Sequence, residues 1–284
     1  MYSNSLKKVS RRQFLKRAGW FGSAGLLFSY PVFIERYIIQ TNFYRIAVPN
    51  LPKAFSGFRV VHLTDLHYGF LVPLQLIQHV VQQANELKPD IIVCTGDYVH
   101  EKNSAKQIDQ VWPVIDRLAA TSGVYSVLGN HDHWADADRS DYWLKRTQQD
   151  LRHKINRIER DGQRLWLAGA GDLWEDHKSL DELLRDIPGE DCRIVLAHNP
   201  DTADTTYSSR IDLMVSGHTH GGQVDIPFYG PPILPVKNKA YSSGLKRSLR
   251  GTRVFLSKGI GWTILPIRFN CMPEIAVLDL VPDA

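Results

Sequence analysis

The sequence Ser216-Gly217-His218-Thr219-His220-Gly221-Gly222 follows an apolar run at residues 211–215. That run is typical of a buried strand, so both histidines lie where a strand ends and a turn begins. The glycines let the backbone bend sharply and approach a ligand closely. Two imidazoles one residue apart bring ring nitrogens toward one point, as a transition metal requires. A polar turn without a ligand is the alternative while this stretch is taken alone.

The composition is that of an ordinary globular protein, with 284 residues, 43% of them apolar and 23% charged. The net charge of +4 depends on the first 20 residues, which hold six bases and no acid; subtracting those six leaves 28 bases against 30 acids. The remainder therefore gives no electrostatic reason to expect nucleic acid as a partner. Cys94, Cys192 and Cys271 lack metal-type spacing and are expected to pack as small core side chains.

Residues 10–16, Ser-Arg-Arg-Gln-Phe-Leu-Lys, resemble the twin-arginine export signal, and 17 uncharged residues, 18–34, follow Arg17. That run is slightly short for a membrane span and contains Pro31, and no clean cleavage site follows it. We interpret residues 1–40 as an export signal and uncleaved membrane anchor, with the twin-arginine export machinery and the membrane surface as partners. The expected location is the outer face of the bacterial inner membrane. Release after cleavage and retention at the cytoplasmic membrane face are the alternatives.

Strand and helix patterns alternate after residue 57. Asp65 and Asp97 are 32 residues apart, and Asp97 and Asn130 are 33 apart, which fits strand–helix–strand units. Such units make parallel neighbours, so the polar turns should meet at one edge of one sheet, where ligands bind in open α/β sheets. The predicted strands here are 44–48, 58–63, 91–94 and 124–128, and the predicted helices are 73–87 and 108–119.

The second half is richer in predicted strands, at 164–168, 192–197, 254–257 and 275–278, with a short helix at 179–185. The last two strands are expected to close a second sheet.

Two further segments are candidates for covering a site. Residues 132–150 carry aromatic and basic side chains that suit either a substrate clasp or a packed amphipathic helix. Residues 225–247 are proline-rich, with Phe228 and Tyr229, and predict a functional or mobile loop that is also a candidate lipid contact.

Five polar turns, each after a predicted strand, together resemble the calcineurin-like metallophosphoesterases over residues 58–222. The ending Gly-His-Thr-His-Gly-Gly-Gln is similar to the bacterial membrane-associated, twin-arginine-exported phosphodiesterase branch. The resemblance implies a four-layer αββα sandwich, two mixed β-sheets flanked by helices, in a domain spanning residues 41–284. The turns are Asp65-x-His67, Gly96-Asp97, Gly129-Asn130-His131-Asp132, His198-Asn199 and Gly217-His218-x-His220.

The resemblance also implies two metal sites that share Asp97. A mixed nitrogen and oxygen ligand set suits two divalent transition-metal ions, Mn, Fe, Zn or Co. A hydroxide bridging them would attack phosphorus. One ion would be held by Asp65, His67, Asp97 and His220, and the other by Asp97, Asn130, His198 and His218.

His131 is implied as the catalytic residue, a proton donor or phosphate contact near the leaving group; a hydrogen-bonded turn histidine is the alternative. Protein phosphatases of this superfamily often carry an acid three residues after the bridging aspartate, which orients this histidine. Here that position is His100. Either Asp132 or another acid supports His131, or His131 acts without a carboxylate partner, which disfavours the phosphoprotein-phosphatase branch.

The expected function is that of a hydrolase, a metal-dependent phosphohydrolase that cleaves phosphodiesters. A pyrophosphatase-like hydrolase acting on lipid-linked UDP-2,3-diacylglucosamine, in lipid A synthesis, is the first alternative. That reaction takes place on the cytoplasmic side, so the export signal disfavours it. A non-catalytic metal-binding scaffold is the alternative from another class, and the complete ligand set disfavours it. No nucleic-acid partner is expected.

Overall fold

Two mixed β-sheets lie face to face at the centre of the molecule, in a computed structural model that describes residues 10–69 and 71–283. Residues 1–9, the first part of the predicted export signal, lie outside the described residues, and with them Lys7 and Lys8. The strands are β1 Gln40–Val48, β2 Phe58–Leu63, β3 Ile91–Cys94, β4 Val124–Ser126, β5 Lys154–Arg160, β6 Gln163–Gly169, β7 Cys192–Leu196, β8 Leu213–Ser216, β9 Gly244–Arg247, β10 Arg253–Leu256 and β11 Glu274–Pro282. The helices are α1 Arg11–Phe33, α2 Leu74–Glu86, α3 Ala105–Ile115, α4 Asn130–Arg146 and α5 Leu180–Leu184.

The first sheet has the order β1-β11-β2-β3-β4, and the second has the order β5-β6-β7-β8-β10-β9. In the first sheet β2, β3 and β4 are parallel, while β11 runs antiparallel to β2. In the second sheet β6, β7, β8 and β10 are parallel, with antiparallel strands at both edges. All the parallel strands that precede the polar turns therefore end at a common rim of the two sheets.

Alternating side chains on β2 explain the layering. Val61 and Leu63 point to one face of the first sheet and pack against α2 and α3, through side chains such as Val80 and Trp112. Val60, on the opposite face, packs against apolar side chains of the second sheet. The outer face of the second sheet packs on α5 and on irregular segments around a short 3-10 turn, Pro200–Asp204. The predicted fold class, two mixed sheets flanked by helices, is confirmed.

One predicted strand joins a different sheet from the one expected. The prediction that residues 275–278 close the second sheet is wrong: β11 lies in the first sheet, between β1 and β2. Of the two strands in question, β10, at the predicted strand 254–257, does enter the second sheet. A strand buried on both faces carries apolar residues throughout, so its sequence does not say which sheet it joins.

Helix α1 begins in the predicted export segment. The Ser10 side chain accepts from the Gln13 backbone N–H and the Gln13 side chain accepts from the Ser10 N–H, a capping box that starts the helix at Arg11. Across the residues with described structure, no helix combines the length and the apolarity required to cross a membrane.

Candidate metal centre

The five polar turns meet at the common rim of the two sheets. β2, β3 and β4 bring Asp65, His67, Asp97 and Asn130, and β7 and β8 bring His198, His218 and His220. All seven side chains are buried. The backbone is left-handed at five of them, with φ between 47° and 67°. Such angles are uncommon outside glycine and cost free energy, and they cluster at functional sites. The five are Asp65, His67, Asp97, His218 and His220.

The first cluster consists of Asp65, His67 and His220, whose ligand atoms all lie within 4.8 Å of one another. The Nε2 atoms of His67 and His220 are 3.0 Å apart, and Asp65 Oδ1 is 3.3 Å from His220 Nε2. Asp65 is held by the Thr64 hydroxyl, which donates to Oδ2, and by the His218 backbone N–H. Three ligand atoms therefore converge on one small space.

The second cluster consists of Asp97, His198 and His218. His198 Nδ1 lies 2.7 Å from the Thr95 carbonyl oxygen, and His218 Nε2 lies 3.1 Å from the Pro235 carbonyl oxygen. Each ring must donate at that nitrogen, because a carbonyl can only accept. The other nitrogens, His198 Nε2 and His218 Nδ1, lie 3.1 Å apart and are left to face the cluster. Outer hydrogen bonds of this kind fix the tautomers of metal-binding imidazoles.

Asp97 lies between the two clusters. Its Oδ1 accepts the backbone N–H of His131 at 2.8 Å. Its Oδ2 is 3.5 Å from His67 Nε2 and 3.3 Å from His198 Nε2. One carboxylate oxygen therefore faces both groups of ligands.

Asn130 Oδ1 is the observation that tests whether these residues suit metal ions. This amide oxygen is buried, and no hydrogen-bond donor within the described ranges reaches it. An unpaired buried carbonyl is costly unless something else satisfies it. A cation would satisfy it, and nitrogen and oxygen ligands of this mixture suit first-row transition metals. The ligand atoms of these seven side chains therefore suit divalent transition-metal ions.

Burial lowers the pKa of three of the four candidate histidine ligands. It lowers the pKa of His218 to about 3 and the pKa of His67 and of His220 well below the usual value. These three rings are neutral at physiological pH, which is the form that binds metal. Burial also disfavours charge on His198, but the neighbouring Asp97 carboxylate outweighs it and raises the His198 pKa to about 10.

The profile of the calcineurin-like phosphoesterases matches residues 58–222, the segment that carries all seven side chains. The chain belongs to this family. It is 34% identical over 285 residues to the uncharacterized metallophosphoesterase YkuE of Bacillus subtilis (strain 168), covering 97% of this chain and 99% of that one. It is 31% identical over 279 residues to the phosphodiesterase YaeI of Escherichia coli (strain K12), covering 96% and 100%. Among solved structures it resembles TT1561 of Thermus thermophilus, with a TM-score of 0.46 and 10% identity over 71% of this chain and 89% of that one.

This metallophosphoesterase is thus a hydrolase of phosphoester bonds, and its family uses two divalent metal ions. The structure brings together all seven residues predicted as ligands. Their binding of metal stays a prediction, as does the catalytic role of His131.

His131 borders the first cluster, where its ring meets that of His67 edge-on at a centroid distance of 4.6 Å. Its Nδ1 is 2.8 Å from the backbone carbonyl oxygen of His100. His100, the third residue after Asp97, supports His131 through its main chain rather than through its side chain. Of the alternatives left open above, the geometry selects a His131 without a carboxylate partner among the described residues.

The Asp132 carboxylate is occupied elsewhere. Oδ2 accepts the backbone N–H groups of Asp97 and Gly129, and Oδ1 accepts that of Tyr98. The side chain therefore ties the turn after β3 to the start of α4. Gly129 and Gly96 meet at this junction, and a Cβ on either would collide with the facing backbone or with the Asp97 carboxylate.

Two tryptophans flank the centre, an arrangement that the sequence pattern does not predict. Trp134, at the start of α4, lies against His131 with ring centroids 4.8 Å apart, and its Nε1 donates to Glu175. Trp174 contacts His218 edge-on at 4.7 Å. Residues 132–150 are mostly helix α4, which packs on the protein as one of the two alternatives predicted; the substrate clasp stays a prediction.

The remaining histidines lie outside the two clusters. His62 is buried in β2 beside Thr95, while His79 and His177 are exposed. His153 pairs with Asp176, as does His133, whose Nε2 is 3.5 Å from Asp176 Oδ1. None of these five belongs to a group of possible metal ligands among the described residues.

Proposed function

We propose that this metallophosphoesterase is a phosphodiesterase with a dinuclear metal centre formed by the seven buried ligands. The position of Asp97 carries the proposal, because its Oδ2 atom lies at a similar distance from a ligand of each cluster. The name of the E. coli relative, a phosphodiesterase 31% identical to this chain, supports a diester as the substrate.

Asp65, His67 and His220 would complete one ion's ligands, and Asn130, His198 and His218 the other's. When bound, two divalent ions acidify a shared water and offset the charge that builds on the phosphoryl oxygens. The backbone carbonyl of His100 accepts from Nδ1 of the His131 ring, so in its imidazolium form this ring would present an Nε2–H that can protonate a leaving alkoxide or donate to a phosphoryl oxygen. The indoles of Trp134 and Trp174 pack against the rings of His131 and His218 and limit their movement.

Substitution Asp97→Asn tests this proposal. It keeps the volume of the side chain but removes the shared negative charge, so we expect loss of metal-dependent hydrolysis of bis-p-nitrophenyl phosphate together with reduced metal content. Asp116→Asn, at the exposed end of α3, is the matched control and should behave as wild type. Wild-type hydrolysis by the Asp97 variant would refute the dinuclear assignment.

A lipid-linked pyrophosphate is a second candidate substrate, favoured by an apolar groove that opens beside His220. Val224, Ile233, Leu265 and Ile267 line the groove. A screen of phosphomonoesters, phosphodiesters and nucleotide-lipid pyrophosphates distinguishes the candidates by their kcat/KM. A higher value for the pyrophosphate than for every diester would favour the second.

We also propose that residues 1–40 direct export by the twin-arginine route and then hold the protein at the outer face of the inner membrane. Ser10 caps helix α1, and Arg11 and Arg12 are exposed in its first turn, accessible to a receptor. A reporter fused after Ala284 should be active outside the cytoplasm, and the double substitution Arg11→Lys, Arg12→Lys should abolish that signal. Arg17→Lys is the control, and equal export of all three proteins would reject the proposed route.

A further inference from the structure

Two segments next to the metal centre form an exposed surface without charge, which we call the apolar rim: residues 226–236 and 259–267. Phe228 is fully exposed, and Ile264, Tyr229 and Ile233 are 87%, 76% and 74% exposed. Clustered exposure of large apolar side chains marks an interaction site in a soluble domain. The groove beside His220 runs between the two segments, since Ile233 and Leu265 both line it.

Gln223 joins the two segments into one surface. Its Oε1 accepts the Thr263 backbone N–H at 2.7 Å, and its Nε2 donates to the Thr263 carbonyl at 2.9 Å. Its own main chain accepts the Phe269 N–H, and the Asp225 N–H donates back to the Phe269 carbonyl. The exposed side chains are therefore presented together rather than on independent loops.

The end of helix α1 continues this surface. The Arg268 backbone N–H donates to the Pro31 carbonyl at 3.1 Å, and Arg36 Nη1 donates to the Pro266 carbonyl at 3.1 Å. Phe33 and Ile34, at the end of α1, are 69% and 51% exposed. The apolar rim therefore lies on the side of the molecule where the predicted anchor leaves it.

The backbone of the rim suits an apolar environment unusually well for a loop. Four of its residues between 226 and 235 are prolines, which have no N–H to leave unpaired. The N–H groups of Ile226, Tyr229 and Gly230 are bonded within the turn, to the carbonyls of Gly230 and Ile226. A loop can enter lipid only when its polar backbone groups are satisfied internally, and a partner protein would gain few main-chain hydrogen bonds here.

Charge complementarity favours a bilayer with anionic headgroups. Lys237 and Lys239 follow the first segment and Lys258 precedes the second, against one acid, Asp225, before the first, and neither segment contains an acid. Apolar and aromatic side chains flanked by lysines are the pattern of interfacial membrane contacts.

We propose that the apolar rim inserts into the surface of an anionic lipid bilayer and turns the mouth of the metal centre toward it. This contact is separate from the N-terminal anchor and from the hydrolytic activity. It predicts two points of attachment for one chain, with the groove beside His220 facing the headgroups.

Vesicle co-sedimentation of the full chain provides the first test. With equimolar phosphatidylcholine and phosphatidylglycerol, Phe228→Ser combined with Ile264→Ser should weaken partition about tenfold, because two large apolar side chains no longer enter the lipid. The matched control is Phe43→Ser combined with Leu249→Ser, which removes two apolar side chains, 60% and 84% exposed, from other surfaces. Both double variants should have the same Tm as wild type by circular dichroism, which shows that both have folded.

A local probe separates the rim from helix α1. The three native cysteines are buried, so an environment-sensitive fluorophore on Phe228→Cys reports this position alone. Its emission should shift to the blue with anionic vesicles, and a fluorophore on Leu249→Cys should not respond. Sedimentation of the labelled protein without a shift at residue 228 would overturn the proposal and assign binding to α1. A shift induced by another protein but not by vesicles would assign the rim to a protein partner. Because both readouts measure binding, they hold even if the proposed phosphodiesterase activity fails.

Discussion

At the scale of single residues, the left-handed backbone at five of the seven candidate ligands is a cost that the neighbouring bonds have to offset. Asp65 is fixed by Thr64 and by the His218 N–H, and Asp97 by the His131 N–H. Such strain persists only where the surroundings over-determine the conformation. The positions of these candidate ligands are therefore fixed by hydrogen bonds within and between the turns.

His131 is the residue whose chemistry is easiest to isolate. Replacement by alanine removes the ring that the His100 carbonyl orients, while leaving the seven ligands in place. We expect kcat for bis-p-nitrophenyl phosphate to fall about 10²- to 10⁴-fold, the usual contribution of a general acid. Metal content, measured by elemental analysis, should stay at the wild-type level. An unchanged kcat would make His131 a structural turn residue.

Asp132 supports the site through the main chain. Asparagine offers one acceptor oxygen in place of two, so Asp132→Asn should leave at least one buried backbone N–H of Asp97, Tyr98 or Gly129 unpaired. We expect a loss of about 1–3 kcal/mol in the free energy of unfolding, measured by urea denaturation. Asp138→Asn, exposed on the same helix, is the control. Equal stability of the two variants would show that these three bonds contribute nothing.

At the scale of elements, the segment that carries Trp174 is pinned by Asp176. This carboxylate lies 2.7 Å from Arg152 Nη1 and 3.0 Å from His153 Nε2, and His133 of α4 approaches its other oxygen. Burial opposes the charge on both His133 and Asp176. Their attraction outweighs it, and raises the pKa of His133 while it lowers that of Asp176. The loop beside the metal centre is therefore attached by charge to α4 and to the residues just before β5.

This network predicts a pH-dependent stability. Because the folded-state pKa of His133 is raised above 6.5, its contribution is fully present below that pH and is lost as the pH rises through the folded value. Wild type should exceed His133→Gln in unfolding free energy at pH about 5.5, with the difference shrinking by pH about 9. The stabilising contribution of the Asp176 carboxylate has the opposite pH dependence. Because its folded-state pKa is lowered, that contribution is lost only in strongly acidic solution. A difference that stays constant with pH would show that the His133 charge is irrelevant.

The strands and helices also show how much of the fold the sequence alone predicts. The strands 58–63 and 91–94, the helix after each and the polar turns were predictable, because buried strands and amphipathic helices carry strong periodic patterns. β5 and β9 were not, since edge strands such as Lys154–Arg160 expose most of their side chains and resemble loops. The support of His131 by a carbonyl also had no signal, because every residue has one. The pairing of Trp134 and Trp174 around the centre depends on tertiary packing between distant segments.

At the scale of the whole molecule, the candidate metal centre joins the two sheets, with ligands from β2, β3 and β4 on one side and from β7 and β8 on the other. Ions bound there would add cross-links between sheets that already meet through apolar contacts and through polar bonds such as that of the His218 N–H to Asp65. At an ion concentration a hundredfold above Kd, one site adds about 2.7 kcal/mol to the free energy of unfolding. Removal of metal by a chelator should therefore lower Tm, measured by calorimetry, and added ions should restore it. Asp97→Asn should show no such shift, and a wild-type Tm that ignores the chelator would exclude this link between the sheets.

Arg268 joins several segments by a different means. Its buried guanidinium donates to the carbonyls of His220, Gly259, Gly261 and Cys271, and no carboxylate pairs with it among the described residues. Arg268→Met should cost at least about 3 kcal/mol in unfolding free energy, because several buried carbonyls lose their donor at once. Arg185→Met, on an exposed side chain, is the control. If Arg268→Met lowers the unfolding free energy no more than Arg185→Met does, this role is contradicted.

The insertion of β11 between β1 and β2 has a consequence for the newly made polypeptide. The first sheet needs residues 274–282 as its second strand, so β1 has no neighbour until the chain has been made as far as β11. A nascent chain on the ribosome can form β2, β3 and β4 but cannot close the sheet around them. A chain truncated before residue 274 would therefore leave β1 and the facing edge of β2 unpaired and accessible to proteases.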